Sequence, residues 1–336
     1  MTIARSILGL SIGFLLATAL DAQTMQPDGG KIRPGTIPVA WYSGGPKCME
    51  LPEWQAHEYN PDLYIMRQSG CTDYEQPFVF LLFGTQRALL LDTGSRDGNI
   101  EPQIKLMVHR WLMRNHRASV PLIVVHTHAH SDHTAGDAAL QAMNDPVIPV
   151  TFVPATVEAN QSFYGIKNWP EDVGSVDLGD RIIDALAVPG HEKSAIALYD
   201  RQTAILFTGD NVYPGRLFIE DLPTYMKSNR RMLHFTEGKP VAHILGNHVG
   251  RTRTPYIAYT PGAIYQPDAH ELQLSRGVLL EIEEGLESMH GKPQRIYYRD
   301  FTLWPTADPT IRLELGSTIE QTQKQQRERM WDQDQH

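Results

Sequence analysis

Cysteine is nearly absent: the 336-residue chain has two, Cys48 and Cys71. Neither stands in a CxxC or zinc-ribbon spacing, which excludes a thiolate-built metal site. In an oxidising compartment the two could close a short loop as a disulfide; elsewhere they are two thiols. Only geometry decides between these. A basic excess is also lacking. Thirty Lys and Arg against 39 Asp and Glu leave a net charge of −9, the wrong sign for a surface that replaces phosphate counterions, so nucleic acid is not an expected partner. Past the N-terminus no apolar run approaches the ~20 residues that a bilayer span requires. There is no internal repeat. Composition is unbiased, at 41% hydrophobic and 21% charged, which fits a globular chain with a sizeable core. The length suits one large domain or two ordinary ones.

The exception to the missing apolar runs is the start, "MTIARSILGLSIGFLLATALDAQ". Arg5 supplies a basic flank, Ile7 to Leu20 an apolar stretch short for a membrane span, and Ala17-Thr18-Ala19 or Leu20-Asp21-Ala22 a small-residue cleavage pattern. Residues 1–22 are therefore expected to be a signal peptide. The mature protein is expected to be periplasmic or secreted, with no membrane association after cleavage.

Periodicity then divides the chain. Residues 23–76, Pro/Gly-rich at first, are expected as a leader and loop segment. Residues 77–316 carry alternating strand and helix signals. "PFVFLLFGTQRALLLDTG" reads as a hairpin. Ile100 to Asn115 places Ile104, Met107, Val108, Trp111 and Leu112 on one helical face. "VPLIVV" and "IPVTFVP" read as strands, as does Arg181 to Val188. Ala195 to Tyr199 and Ala204 to Phe207 form a second hairpin. Asp221 to His234 and His270 to His290 read as helices, "VAHILG" and "QRIYYRDFTLW" as strands. Residues 317–336 read as a frayed polar tail. The mixture of hairpins and crossovers is α/β with sheets of mixed direction.

Histidine is concentrated in "VVHTHAHSDHTAG", where four fall within eight positions. His128 and His130 are two apart, so in an extended segment both imidazoles face one ion. Asp132 and His133 follow at a turn and face another point nearby. Imidazole and carboxylate suit zinc, iron or manganese. Four apolar strands end in ligand-capable punctuation, "LLLDTG", "VVHTH", "VPGH" and "LFTGD", as when loops at strand ends carry a catalytic site.

"THAHSDH" resembles the HxHxDH signature of the metallo-β-lactamase superfamily. "LLLDTG" with Asp92, "VPGH" with His191, "LFTGD" with Asp210 and "ILGNH" with His248 follow that family's remaining motifs in order. The resemblance implies a four-layer αββα fold, two mixed sheets sandwiched between helices, over residues 77–316. It implies that His128, His130 and His191 hold one metal ion, that Asp132, His133 and His248 hold a second, and that Asp210 bridges both. Asp92 would steady the histidine loop without ligating, and His126, which the motif omits, would be a strand-end or supporting residue. The implied cofactor is two Zn2+ per chain, with Fe or Mn as alternatives. The implied reaction is hydrolysis, in which a metal-bridging hydroxide attacks the carbonyl of a small ester, lactone, thioester or amide, and Asp132 orients the nucleophile and handles its proton.

The variable positions narrow the branch. His130 stands where the flavin-dependent branch has glutamate. Asp210 stands where true β-lactamases have cysteine or serine, so the ligand set looks like that of glyoxalase II and the lactonases. A β-lactamase-type amide hydrolase and a mononuclear iron sulfur dioxygenase remain the alternatives. Glu192, in "GHEKS", departs from the family's common small residue. Arg251 and Arg253 follow the last ligand and are candidates to bind a substrate carboxylate by bidentate hydrogen bonds. Phe163, Tyr164, Tyr213 and Phe218 are candidate pocket walls. Oligomeric state is not legible.

Overall fold

The structure, a computed structural model, describes residues 31–42, 51–96 and 98–333. The expected signal peptide and Cys48 lie outside the described residues; Cys71 is not a free thiol. One six-stranded sheet contains β1 (Trp54–Asn60), β2 (Leu63–Gln68), β3 (Phe78–Phe83), β4 (Ala88–Leu91), β5 (Leu122–Val125) and β6 (Val150–Phe152), in that order. A second contains β7 (Val173–Asp177), β8 (Ile182–Ala187), β9 (Ile196–Asp200), β10 (Ile205–Gly209), β12 (His243–Gly246) and β13 (Gln273–Leu274), ordered β13-β12-β10-β9-β8-β7. A small third sheet, beyond the two expected, joins β11 (Arg216–Ile219), β14 (Ile296–Tyr297) and β15 (Thr302–Pro305). The helices are α1 (Glu101–Arg114), α2 (Ser131–Thr134), α3 (Asp137–Gln141), α4 (Val157–Tyr164), α5 (Leu222–Phe235), α6 (Gly277–Ser288) and α7 (Pro309–Gln333).

The period-2 pattern of the strands builds the layers. In β3, Phe78, Phe80 and Leu82 face the inter-sheet core, where Phe80 meets Phe207 of β10 at 4.6 Å between ring centroids. Their neighbours Val79, Leu81 and Phe83 face α1, whose Ile104, Met107, Val108, Trp111 and Leu112 are buried against them. Likewise β10 sends Ile205 and Phe207 inward and Leu206 outward, to a cluster with α5 and α6. Helix, sheet, sheet and helix are thus joined by three apolar cores, the four-layer order expected. Each large side chain so buried contributes roughly 1.5–3 kcal/mol. Arg181, in a buried ion pair with Asp200 of the second sheet at 2.6 Å, also reaches the first sheet by donating to the Phe83 carbonyl at 3.0 Å.

Three expectations are corrected. Residues 23–76 are not only leader and loop, because β1 and β2 form an antiparallel hairpin around Asn60 to Leu63. The edge strand β1 is polar and half-buried, which hides it from an apolar count. "QRIYYRDFTLW" is a hairpin, β14 against β15, rather than one strand. Residues 317–336 are not a frayed tail as far as they are described, because α7 runs on to Gln333. Asp308, accepting from the Thr310 amide at 2.9 Å, and Pro309 mark that helix's start.

Candidate metal centre

Parallel pairing brings the site together. β4 runs parallel to β5 in the first sheet and β10 to β12 in the second. Their carboxyl ends therefore open at common edges, a usual place for ligands in α/β sheets. Asp92 follows β4, the histidine segment follows β5, Asp210 follows β10 and His248 follows β12; His191 enters from beyond β8. Two glycines permit the approach. Gly190 has φ +131°, and a Cβ there would stand 2.5 Å from the Tyr225 backbone; Gly209 has φ +55° and lies against Thr127.

The described residues form two donor groups, each with its ligand atoms within 4.8 Å of one another: His128, His130 and His191; and Asp132, His133, Asp210 and His248. In the first, His130 Nδ1 lies 2.9 Å from His128 Nε2 and 3.2 Å from His191 Nε2. In the second, Asp132 Oδ2 lies 3.3 Å from His133 Nε2 and 3.2 Å from His248 Nε2. Asp210 touches both groups. Its Oδ1 lies 3.5 Å from His133 Nε2 and 3.3 Å from His248 Nε2, and its Oδ2 lies 3.6 Å from His191 Nε2.

The far ring nitrogens are pinned, as is usual for ligating histidines. His191 Nδ1 meets the Phe218 carbonyl at 2.9 Å, His248 Nδ1 the Glu75 carbonyl at 2.9 Å, and His133 Nδ1 Asp92 Oδ2 at 3.0 Å. Asp92 is wholly buried in a left-handed conformation, φ +66°. Its carboxylate also accepts from the Thr127 amide, the Thr127 hydroxyl and Asn247 Nδ2, at 2.7, 2.9 and 2.7 Å. It joins the histidine loop to the end of β12 and reaches neither donor group directly except through His133. His126 is buried behind the loop, 3.2 Å from Asp137, a supporting position. Glu192 turns back on its own loop to accept from the Ser194 amide and hydroxyl.

The donor set fits a metal. His133 Nε2, His248 Nε2 and Asp210 Oδ1 are buried, converge, and make no hydrogen bond. Such orphaned polar atoms are costly unless something bound satisfies them. The charge balance differs between groups. Burial and neighbouring imidazoles hold His128 well below the ordinary histidine value, and burial lowers His191. Burial opposes the charged forms of His133, His248, Asp132 and Asp210 too. Here mutual attraction wins: the histidines are pushed well up and the carboxylates well down. The attraction between facing imidazole and carboxylate groups is the cause of both shifts.

A cavity of about 300 Å³ opens above both groups, lined by His130, Asp132, His191, Asp210 and His248 among others. Tyr213 and Phe218 line it as expected. Tyr164 instead belongs to the inter-sheet core with Phe163 packed on it. Arg251 and Arg253 are not in the lining. Arg251 is 1% exposed, and its guanidinium is spent on the carbonyls of Tyr256, Tyr298 and Phe301 and on Thr302 Oγ1. Arg253 is exposed and donates to the Val39 carbonyl. The arginines that do line the cavity, unsuspected from sequence, are Arg216 of β11 and Arg312 of α7. Leu315 and Ile319 of α7 line it too. Their signal was present: an Asp-Pro helix start followed by Ile311, Leu315 and Ile319 at spacings of four.

Strand-end histidines and carboxylates in two adjoining donor groups, over a mixed double sheet, define the class: a metallo-hydrolase with a candidate His/Asp metal-binding cluster. The family model of the metallo-beta-lactamase superfamily matches residues 72–260, and the chain belongs to that superfamily. It is 25% identical over 232 residues to the acyl-coenzyme A thioesterase MBLAC2 of Bos taurus, covering 60% of this chain and 83% of that one. It is 31% identical over 176 residues to the thioesterase pkgB of Emericella nidulans, covering 52% and 45%. Against a hydroxyacylglutathione hydrolase of Pseudomonas putida the figures are 32% over 145 residues, 41% and 52%.

Proposed function

We propose that the protein is an exported binuclear zinc hydrolase that cleaves the carboxylic ester or thioester bond of a small molecule, with lactones and amides as further candidates. One observation carries the two-metal reading: the two oxygens of Asp210 face different donor groups, Oδ1 towards His133 and His248 and Oδ2 towards His191. The bond type is supported by the thioesterase and hydroxyacylglutathione hydrolase relatives. Export, resting on residues 1–22, argues for a simpler carrier than coenzyme A or glutathione.

His128, His130 and His191 would hold one ion, Asp132, His133 and His248 the other, and Asp210 both. Bound zinc supplies a water nucleophile at neutral pH and polarises the carbonyl under attack. The chain's own residues do the rest. Asp132 lines the cavity and keeps its carboxylate ionised against His133 and His248, so it can orient the attacking water and take its proton. Asp92 fixes the His133 ring so that Nε2 faces inward.

The test is metal analysis joined to a screen of the purified, zinc-loaded chain against esters, thioesters, lactones and β-lactams. Two zinc ions per chain with hydrolysis of esters or thioesters is expected. One iron per chain with oxidation of a sulfur substrate would overturn the reading. N-terminal sequencing of the mature protein tests export, with a start after Ala19 or Ala22 expected.

A further inference from the structure

α7 is a mostly polar helix. Between Pro309 and Gln326 its aliphatic side chains are few: Ile311, Leu313, Leu315 and Ile319. Leu313 points away, 74% exposed. Leu315 and Ile319, one helical turn apart, are half-buried and belong to none of the three apolar cores that join the layers. They instead line the cavity that holds His130, Asp132, His191, Asp210 and His248.

The helix is held over that cavity at both sides of the pair. Before it, Arg312 donates to Glu220 at 2.8 Å and to the Thr306 carbonyl at 3.1 Å. After it, Gln326 accepts from the Ile264 amide at 2.8 Å. Between them the Ile319 backbone rests against Gly262, where a Cβ would come within 2.9 Å of the Ile319 carbonyl oxygen. Val249, Ala263 and Phe218 supply further apolar lining. A cavity with histidine and aspartate donors on one part of its lining and an aliphatic pair on another has two chemically different parts.

We propose that Leu315 and Ile319 form an acyl-chain subsite, so that the substrate is an ester or thioester of an apolar acid longer than acetyl. The substrate carbonyl sits at the His/Asp floor and the alkyl chain runs along α7. This rests on the hydrolase reading for the reaction but not for the binding. α7 is then a specificity element rather than an appendage. Burying one methylene favours a ligand by about fourfold, so several methylenes against this wall give a marked chain-length preference.

The experiment has two readouts on the full chain. Calorimetry compares octanoate with acetate binding, and kinetics compare kcat/KM for octanoyl and acetyl thioesters. In the wild type, octanoate should bind tighter and the octanoyl-to-acetyl ratio should exceed one. Leu315→Ser combined with Ile319→Ser should weaken octanoate binding and lower that ratio, each by roughly tenfold. Ile319→Phe should shift the best substrate to a shorter chain by narrowing the wall. Leu313→Ser, on the outer face, should change neither readout. Wild-type affinity for octanoate in the double variant, an unmoved optimum in Ile319→Phe, or an equal loss in Leu313→Ser would overturn the proposal. Selective octanoate binding without hydrolysis of any acyl substrate would leave the subsite standing and sink the hydrolase reading instead.

Discussion

The floor and the far wall of the cavity are built by different means. The floor comes from the ends of strands whose registers are set by three apolar cores, and its side chains are pinned by hydrogen bonds such as His133 to Asp92 and His248 to the Glu75 carbonyl. The wall comes from the segment around Gly262 and from α7, which joins none of those cores and is tied by a few polar contacts. Ligands need positions good to a fraction of an ångström, and rigid strand ends provide them. A surface that grips an alkyl chain needs only shape and apolarity, so a lightly attached helix suffices.

Four substitutions would break or sharpen that contrast. The largest effect belongs to Asp210, the residue shared by both donor groups. Asp210→Ala should lower hydrolysis by at least about 10³-fold and bring metal content towards one ion per chain. An unchanged stoichiometry and rate would remove its bridging role. Asp92→Ala should come next, weakening metal affinity about 10- to 100-fold in a chelator competition, because it frees the His133 ring and the Thr127 backbone without deleting a ligand. If affinity stays at the wild-type value, the loop is held by something other than this carboxylate.

Arg251 tests the segment that follows the last candidate donor, His248. Arg251→Ala should cost on the order of 3 kcal/mol in urea unfolding, since it leaves the buried Phe301 carbonyl and Thr302 hydroxyl without their donor and empties a buried site, while the folded protein keeps its metal content. A loss of metal at full stability would contradict its structural role. Arg253→Ala should have the smallest effect, within about 0.5 kcal/mol of wild-type stability and with KM unaltered. A raised KM would return Arg253 to the substrate site.

The floor was legible because its signal is local. Each candidate donor stands at a strand end, in a short motif whose order along the chain is readable: the segment from His128 to His133, His191, Asp210 and His248, with Asp92 in the supporting motif before them. The wall was not. Arg251 and Arg253 follow the last ligand and look like substrate arginines, yet an arginine reads the same whether its donors meet a substrate or three carbonyls. Arg216 and Arg312 stand near no motif. β1 was missed because an edge strand buries too little to show an apolar pattern. α7 was missed because polar residues outnumber the few that face the cavity.

Sequence alone therefore pointed to the superfamily and, through that resemblance, to the residues expected as donors in two groups. The order of the short strand-end motifs carries that resemblance, while local strand and turn geometry directs only His128, His130, Asp132 and His133. The tertiary structure decided which arginines face the cavity, that Asp210 offers one oxygen to each donor group, and that the C-terminal helix returns to cover the site. Those depend on contacts between residues far apart in the chain, and such contacts are set by how the layers pack rather than by any local preference.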